Sequence, residues 1–459
     1  MYPTVQDFLL CGTLEVPRLA HKCKTLVYPL PSLPLAQIVA DMNGQRTVVA
    51  LAVRHGVLED ALNVFIDELA SRGVVLKNTN PTFCNVPIHL GPKEPWLAEV
   101  HIDFTDQCNL ASHCPHCYRG DLLNKRKQHP LDDWKKVIVD LENLGVQRIA
   151  ISGGEPLLRA DLVDFIRYVT EHNILVSGIF TNGTIQNHTL DQVLDFLIAK
   201  GLHTSFYVSL DGPDAETNDR YRGKGSFQKS VGFLQRVGAV AQVSDLEVAV
   251  NSQINIYNVR RLHEWYEFLK TLPIHRWRMN AGRITGRLSK NLGLVVPPQE
   301  LMDAYERVIA CYLADWRKKQ DPFKINIESV FRTEMLNKRR AYIFDPDLQI
   351  CDYKQHACSI EPTGDVQFCT SWNRVHYGNV FREGMQEIWY NSELQKLKQM
   401  RLKDIVGCRD CKLLPYCGGG CRHMAPSLTE ADPIACERYT LFVQRIVPLL
   451  HAEGVSFIV

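Results

Sequence analysis

The sequence predicts an α/β protein built on a partial (β/α)6, TIM-like barrel over residues 96–310. A small winged-helix module and linker (1–95) precede it. A connecting helical segment (311–345) leads to a cysteine-rich domain (346–459). Three observations carry this reading. Six strand-like runs alternate with amphipathic helices between Ala98 and Asn280, the pattern of parallel strands with right-handed crossovers. Cys108, Cys114 and Cys117 follow the first run within one short loop. Eight more cysteines are gathered between Cys351 and Cys436.

At 459 residues the chain is long enough for two or three domains. Hydrophobic residues at 45% and charged residues at 22% are ordinary globular proportions. A net charge of +1 argues against nucleic-acid binding driven by bulk charge. The short basic runs Arg317–Lys319 and Lys338–Arg340 read as solvated helix faces. No apolar run reaches the length of a membrane helix, and no basic region followed by an apolar core opens the chain. The expected setting is cytoplasmic, with neither membrane nor nucleic acid as partner. Clustered cysteines in a large chain of this kind point to metal more than to disulfides.

In order along the chain, Thr25 to Asn78 reads as strand, three short helices, strand. Leu58, Leu62, Phe65 and Leu69 fall at helical spacing with Gly73 as C-cap, and Val74–Leu76 follows as a strand. With NGQRTV at 43–48 and ELASRGVV at 68–75, this layout resembles the leader-peptide recognition domain fused to many peptide-modifying enzymes. The resemblance implies β-strand addition, an extended leader pairing with an exposed sheet edge. A cap without ligand and a DNA-binding winged helix are the alternatives. Pro81, Pro87, Pro92 and Pro95 mark 79–97 as a linker.

The barrel strands are expected near 98–104, 147–152, 174–180, 204–210, 246–252 and 275–280. Between the first two, Trp134, Val137, Ile138, Leu141 and Leu144 form one helix stripe, opened by Asp132 and closed by Gly145. Functional residues then belong on loops after strand C-terminal ends. Three thiolates in the first such loop can hold three irons of a [4Fe–4S] cube and leave the fourth without a protein ligand. A structural zinc knuckle, completed by His113 or His116, is the alternative. After the second strand come Gly153, Gly154, Glu155 and Pro156, where glycines let backbone approach a ligand and a carboxylate can receive an ammonium group. Asn182 follows the third strand, and Ser209 and Asp211 end the fourth, ahead of Arg220 and Arg222. Asn182 and Asp211 also suit plain turns.

The phrase CNLASHCPHCY resembles the signature of the radical S-adenosylmethionine (SAM) enzymes, with a first gap two residues longer than the usual Cys-x3-Cys-x2-Cys. Gly153–Pro156 matches the GGEP motif of that family, whose glutamate contacts the methionine amino group. The resemblance implies Ser209 for the SAM ribose and Arg222, with Arg220 as rival, for its carboxylate. Asn182, Asp211 and His116 join the implied cofactor contacts.

Cys351-x6-Cys358-x5-Gly364-x4-Cys369 and Cys408-x2-Cys411-x5-Cys417-x3-Cys421, with Cys436 beyond, can supply two four-cysteine clusters. The arrangement resembles the SPASM domain of peptide-modifying radical SAM enzymes. By that pattern one auxiliary Fe–S cluster takes Cys351, Cys358, Cys369 and Cys421, and the other Cys408, Cys411, Cys417 and Cys436. Cys358 also reads as a buried thiol. Gly364 suits a hairpin turn. Trp372, His376 and Tyr377 are candidates for cavity lining or core, and Thr370 stands where anaerobic sulfatase-maturing relatives carry an aspartate base. Cys11, Cys23, Cys84 and Cys311 read as small apolar residues.

Together the resemblances imply a peptide maturase that cleaves SAM reductively to a 5′-deoxyadenosyl radical. It would form a thioether or another cross-link in a leader-bearing precursor peptide, with electrons from a flavodoxin or ferredoxin. No residue stands out as its catalytic base. A radical SAM enzyme of small-molecule cofactor biosynthesis and a non-catalytic electron carrier are the alternatives; a carrier has no use for Glu155.

Overall fold

A ten-stranded sheet runs from the first cysteine loop into the C-terminal domain. The computed structural model describes residues 1–459 except 25, 126–127, 329, 337–341, 344–348, 352–354, 372–374, 456 and 459, with backbone alone at 342–343 and 457–458. The Lys338–Arg340 run and Trp372 lie outside the described residues.

The N-terminal unit contains β1 (Tyr2–Val5), β2 (Phe8–Gly12), β3 (Pro17–His21), β4 (Val27–Pro29), α1 (Leu33–Asp41), α2 (Val48–His55), α3 (Glu59–Ser71) and β5 (Val75–Asn78). Ser32 and Thr47 cap the first two helices by accepting the Leu35 and Ala50 amides. Beyond α3, Gly73 at φ +73° turns the chain into β5. β1 pairs with β5, while β2, β3 and β4 form an antiparallel sheet. The first three strands were not legible because β2 is buried on both faces and so does not alternate. Phe8, Leu10 and Leu19 pack on the helices, and Leu9, Cys11 and Ala20 pack on Trp96 and Ala98. The proline-marked linker does not hang free: Pro87 O accepts the Leu10 amide, and the His89 and Gly91 amides return bonds to β2.

The barrel follows as β6 (Glu99–Thr105), α4 (Leu131–Asn143), β7 (Arg148–Gly153), α5 (Leu162–Glu171), β8 (Leu175–Thr181), α6 (His188–Ala199) and β9 (Ser205–Ser209). It continues through α7 (Ala215–Arg222), α8 (Ser226–Ala241), β10 (Glu247–Ile254), α9 (Leu262–Leu269) and β11 (Arg276–Ala281). The six strands stand in sequential parallel order. One face carries Val100, Ile102, Ile149, Ile151, Phe206, Val208, Val250 and Trp277 into the helix-facing core. There the Trp134 stripe of α4 meets Phe104 and Phe165. The opposite face is polar and lines the barrel interior.

Two boundaries differ from expectation. The helix α10 (Pro298–Arg317) crosses residue 310, and among the described residues after it β12 (Lys324–Ile327) adds a seventh parallel strand beside β11, β13 (Phe331–Arg332) turns back on it, and a short 3-10 turn follows at Thr333–Leu336. Four alternating residues are too few for periodicity to reveal. After β14 (Tyr342–Ile343), β15 (Ala357–Ile360) pairs in parallel with β6, so the C-terminal domain extends the barrel sheet. The hairpin partner is β16 (Val366–Gln367), and the turn places Gly364 at φ +85°. The rest comprises α11 (Met385–Trp389), α12 (Ser392–Gln399), α13 (Leu414–Cys417), α14 (Pro433–Ala452) and β17 (Phe457–Ile458), which pairs with β14. The Arg445 guanidinium on α14 binds Asp303 and Glu306 of α10.

Candidate active site and cluster-binding cysteines

The loop leaving β6 is fastened residue by residue. Asn124 brackets the Cys108 peptide: its Oδ1 accepts the Cys108 N–H at 2.9 Å and its Nδ2 donates to the Cys108 carbonyl at 3.0 Å. Asn109 accepts from Asn182 Nδ2 at 2.9 Å and donates to Thr184 Oγ1 at 2.8 Å. Arg287 donates its backbone N–H to Cys117 O and its guanidinium to Ala111 O. These ties hold the lengthened first gap. Cys108, Cys114 and Cys117 come within electrostatic range of one another. Burial pushes the Cys108 thiol up to about 12 and the Cys114 thiol up to about 11, and neighbouring thiols add to this. A zinc ion needs its donors about 2.0–2.3 Å from one centre. A cube instead takes each sulfur at a separate iron.

The paired glycines let backbone approach backbone. A Cβ on Gly153, which sits at φ +126°, would run into Thr105 O, and one on Gly154 into Gln107 O. The Gly154 and Glu155 amides donate to those same carbonyls at 2.7 Å. Glycine is needed so that the end of β7 can lie against the cysteine loop. Glu155 is thereby set, fully buried, beside Cys108. One carboxylate oxygen accepts from Thr181 Oγ1 at 2.8 Å and the Leu157 amide at 3.2 Å; the other accepts from the Asn182 amide at 2.7 Å. Burial pushes the carboxyl up to about 7, with these donors pulling against it. Pro156 opens the short 3-10 turn that Glu155 caps.

Ser209 ends β9 with its side chain on the interior face, in register with Asn251. Asp211 is wholly buried; its oxygens accept from Arg222 Nε at 2.6 Å and the Gln253 amide at 2.7 Å. It therefore stands behind Arg222 and orients it. Arg222 is buried, near Cys114 and 3.5 Å from His116 Nε2. Arg220 is exposed, lying over Tyr257 at 3.9 Å, which removes it as a rival. His116 stacks flat on Tyr221 at 4.5 Å, and its buried Nδ1 has no hydrogen-bond partner among the described residues. Burial, then the Arg222 charge, holds the imidazole well below its usual range, so it stays neutral. Asn182 spends its oxygen on the Thr184 amide and hydroxyl and its nitrogen on Asn109, the turn role weighed for it.

In the C-terminal domain Cys351, Cys369 and Cys421 form one electrostatic group, and Cys408, Cys411, Cys417 and Cys436 another. Buried Arg422 binds the carbonyls of Gly419, Leu428 and Glu430, and Asp432 accepts the Cys421 amide at 3.0 Å. Cys358 is placed differently. It is fully buried on β15 opposite Val100, on the core face, while Cys421 and Cys369 act on the Cys351 thiol.

Residues 102–248 match the Radical SAM superfamily, and residues 351–412 match an iron-sulfur cluster-binding domain, SPASM. A mycofactocin maturase of Mycobacterium ulcerans is 30% identical over 327 residues, covering 70% of this chain and 81% of that protein. The chain belongs to the radical SAM superfamily. An AdoMet-dependent heme synthase of Methanosarcina barkeri is 26% identical over 360 residues, covering 74% of this radical SAM chain and 95% of the relative. The fold is shared with Streptococcus suis SuiB, solved bound to its precursor peptide SuiA. That match has a TM-score of 0.65 at 15% identity and covers 95% of this chain and 99% of SuiB.

This radical SAM chain also carries an interior network that motif reading missed. Arg119 Nη2 binds Asp106 at 2.7 Å and its Nη1 binds Glu361 at 2.9 Å. Tyr118 donates to Asp103 at 2.8 Å, and Gln367 joins Glu361 at 2.5 Å to His376 at 3.0 Å. The network ties the loop after Cys117 to the β15–β16 hairpin beside a cavity of about 260 Å³. His376 is exposed at the edge of this network, not among the residues that line the cavity, whereas Tyr377 lies in the core. The only signal was that Tyr118 and Arg119 follow the third cysteine directly. No helix among the described residues is long and apolar enough to cross a membrane.

Proposed function

We propose that this enzyme is a maturase of a ribosomally made, leader-bearing precursor peptide. Cys108, Cys114 and Cys117 would hold a [4Fe–4S] cluster, and SAM would lie across Glu155, Ser209, His116 and Arg222. When bound, cluster and SAM supply a 5′-deoxyadenosyl radical that takes hydrogen from an unactivated carbon. The chain's own residues do the rest. Glu155 receives the α-ammonium group, and Arg222, aimed by Asp211, receives the carboxylate. The buried Asp103–Arg119–Glu361 network keeps the floor rigid, and Asn124 and Asn109 fix the cysteine loop.

Cys351, Cys369 and Cys421 would hold one auxiliary cluster, with Cys358 outside the ligand set, and Cys408, Cys411, Cys417 and Cys436 the other. Residues 1–78 form the leader-binding domain of this proposal, 99–327 the barrel, and 350–455 the auxiliary domain. The linker already lies along β2, which leaves β4 as the sheet edge for an added peptide strand. A thioether or carbon–carbon cross-link is the product class, and a flavodoxin or ferredoxin in the cytoplasm the electron source.

One observation carries the reading: a fully buried carboxylate is set beside three thiols at the ends of adjacent barrel strands. The mycofactocin maturase relative and the fold of a peptide-bound enzyme support a peptide substrate. The test is anaerobic reduction with SAM, followed by intact-mass analysis of a candidate precursor. Release of 5′-deoxyadenosine with loss of hydrogen from the peptide is expected, and both should vanish in Cys114→Ala. The heme synthase relative favours a second reading, a small-molecule substrate in the same barrel. SAM cleavage with every leader-bearing peptide left unbound and unmodified would support it.

A further inference from the structure

We infer that Arg278 is a substrate-anchoring residue that binds a carboxylate of the peptide inside the barrel. The inference rests on the radical SAM peptide reading. Register places Ser209, Asn251, Arg278 and Asn326 in one row across the interior face of β9, β10, β11 and β12. Strands about 4.8 Å apart put Arg278 roughly 10 Å from Ser209 along that row, about one residue's reach from the proposed ribose site. Its guanidinium lies 4.9 Å over the Tyr207 ring. That ring stacks on Phe180 at 4.4 Å, and Phe180 meets His101 at 5.4 Å. Strand β11 and these rings hold the charge in place.

What sets Arg278 apart is the partner it lacks. Arg148 pairs with Glu99, Arg276 with Glu334, Arg119 with Asp106 and Glu361, Arg222 with Asp211, and Arg283 with Glu328. Arg278, half-buried among them, has the Tyr207 face and no carboxylate among the described residues. The ring face spends none of the guanidinium's N–H donors, and that planar fork matches a carboxylate bidentately. Asn326 beside it adds an amide. A half-buried cation gains from a counter-ion, which a bound ligand would bring. Two sources share that chemistry, an Asp or Glu side chain and a peptide C-terminus.

Two probe pairs distinguish them: acetyl-Ala-Glu-Ala-amide against its Gln counterpart, and acetyl-Ala-Ala-Tyr against its C-terminal amide. Binding is measured by calorimetry on cluster-loaded enzyme saturated with S-adenosylhomocysteine. The acid of at least one pair should bind about tenfold or more tightly than its neutral partner. That preference should fall within twofold in Arg278→Gln and be unchanged in Arg276→Gln. If Arg278→Gln loses iron or melts early, Arg278→Lys is read instead, with a several-fold loss expected. The inference is overturned if wild type binds acids and amides alike, absence of binding to both included. It is equally overturned if the preference survives in the Arg278 variant read. Peptide-independent 5′-deoxyadenosine release reports separately on the SAM reading, so the two failures cannot be confused.

Discussion

Replacing Glu155 by Gln separates its two jobs. The carboxylate accepts three hydrogen bonds in a site closed to water. Glutamine keeps the shape but turns one acceptor into a donor. The cheaper orientation puts its NH2 against the Asn182 amide, because the other would orphan the Leu157 amide and the Thr181 hydroxyl together. One orphaned buried donor costs about 1–3 kcal/mol. Removing a carboxyl that burial has already pushed up to about 7 offsets part of that cost. Stability should fall by about 1–2 kcal/mol. Cofactor affinity should suffer more, since a charge-assisted hydrogen bond contributes about 1.5–3 kcal/mol, or about 10- to 150-fold. Calorimetric titration of cluster-loaded Glu155→Gln with S-adenosylhomocysteine, which keeps the ammonium group and resists cleavage, reads this directly. An affinity within twofold of wild type at unchanged iron content would refute the assignment of Glu155 to the ammonium group.

Three shorter predictions follow from other parts of the molecule. Cys358→Ala should keep wild-type iron content and electron paramagnetic resonance of the auxiliary clusters, whereas Cys351→Ala should lose one set of signals. Asp219 accepts the Phe227 amide at 2.8 Å and also binds the Gly225 amide and Ser226 hydroxyl; burial works against it, but these donors hold its carboxyl below the usual range. Its contribution is therefore complete above the unfolded value of 3.8 and lost as pH falls through the lower folded one. Chemical denaturation should show Asp219→Asn about 1–2 kcal/mol weaker at pH 7, with the gap closing below pH ~4. Trp134→Ala should cost about 3–5 kcal/mol, because its ring meets Phe104, Phe165 and Phe381. Trp134→Phe should cost far less, since the indole N–H has no partner among the described residues; thermal melts compare the two.

Sequence spacing was informative wherever one short segment carries the chemistry. Cys108, Cys114 and Cys117 share a loop, and Gly153 to Pro156 share a turn, so their juxtaposition needed only the order of β6 and β7. The division of the C-terminal cysteines into two groups came instead from the resemblance to the SPASM domain, since Cys421 lies far along the chain from Cys351 and Cys369. Contacts made by chain reversal were hidden. Glu361 reaches Arg119 only because β15 pairs with β6 across some 250 residues, and no local pattern announces that. Asp211 has the residue type of a ligand, and its bonds to Arg222 and the Gln253 amide could not be read from the sequence. Cys358 falls at a plausible ligand spacing, and the strand register that sets it opposite Val100 could not be read from that spacing. β12 was missed because Ile325 and Ile327 offer one period of alternation and no more.

The pairing of β15 with β6 has a practical outcome for anyone dividing this molecule. A fragment stopped ahead of Ala357 would bare the rim of β6, the strand leading into Cys108, and leave its hydrogen-bonding groups seeking another chain. Such fragments should self-associate rather than yield a tractable catalytic half. A cut on the other side, between Pro92 and Pro95, would part Leu9, Cys11 and Ala20 from Trp96 and Ala98 and bare that apolar contact as well.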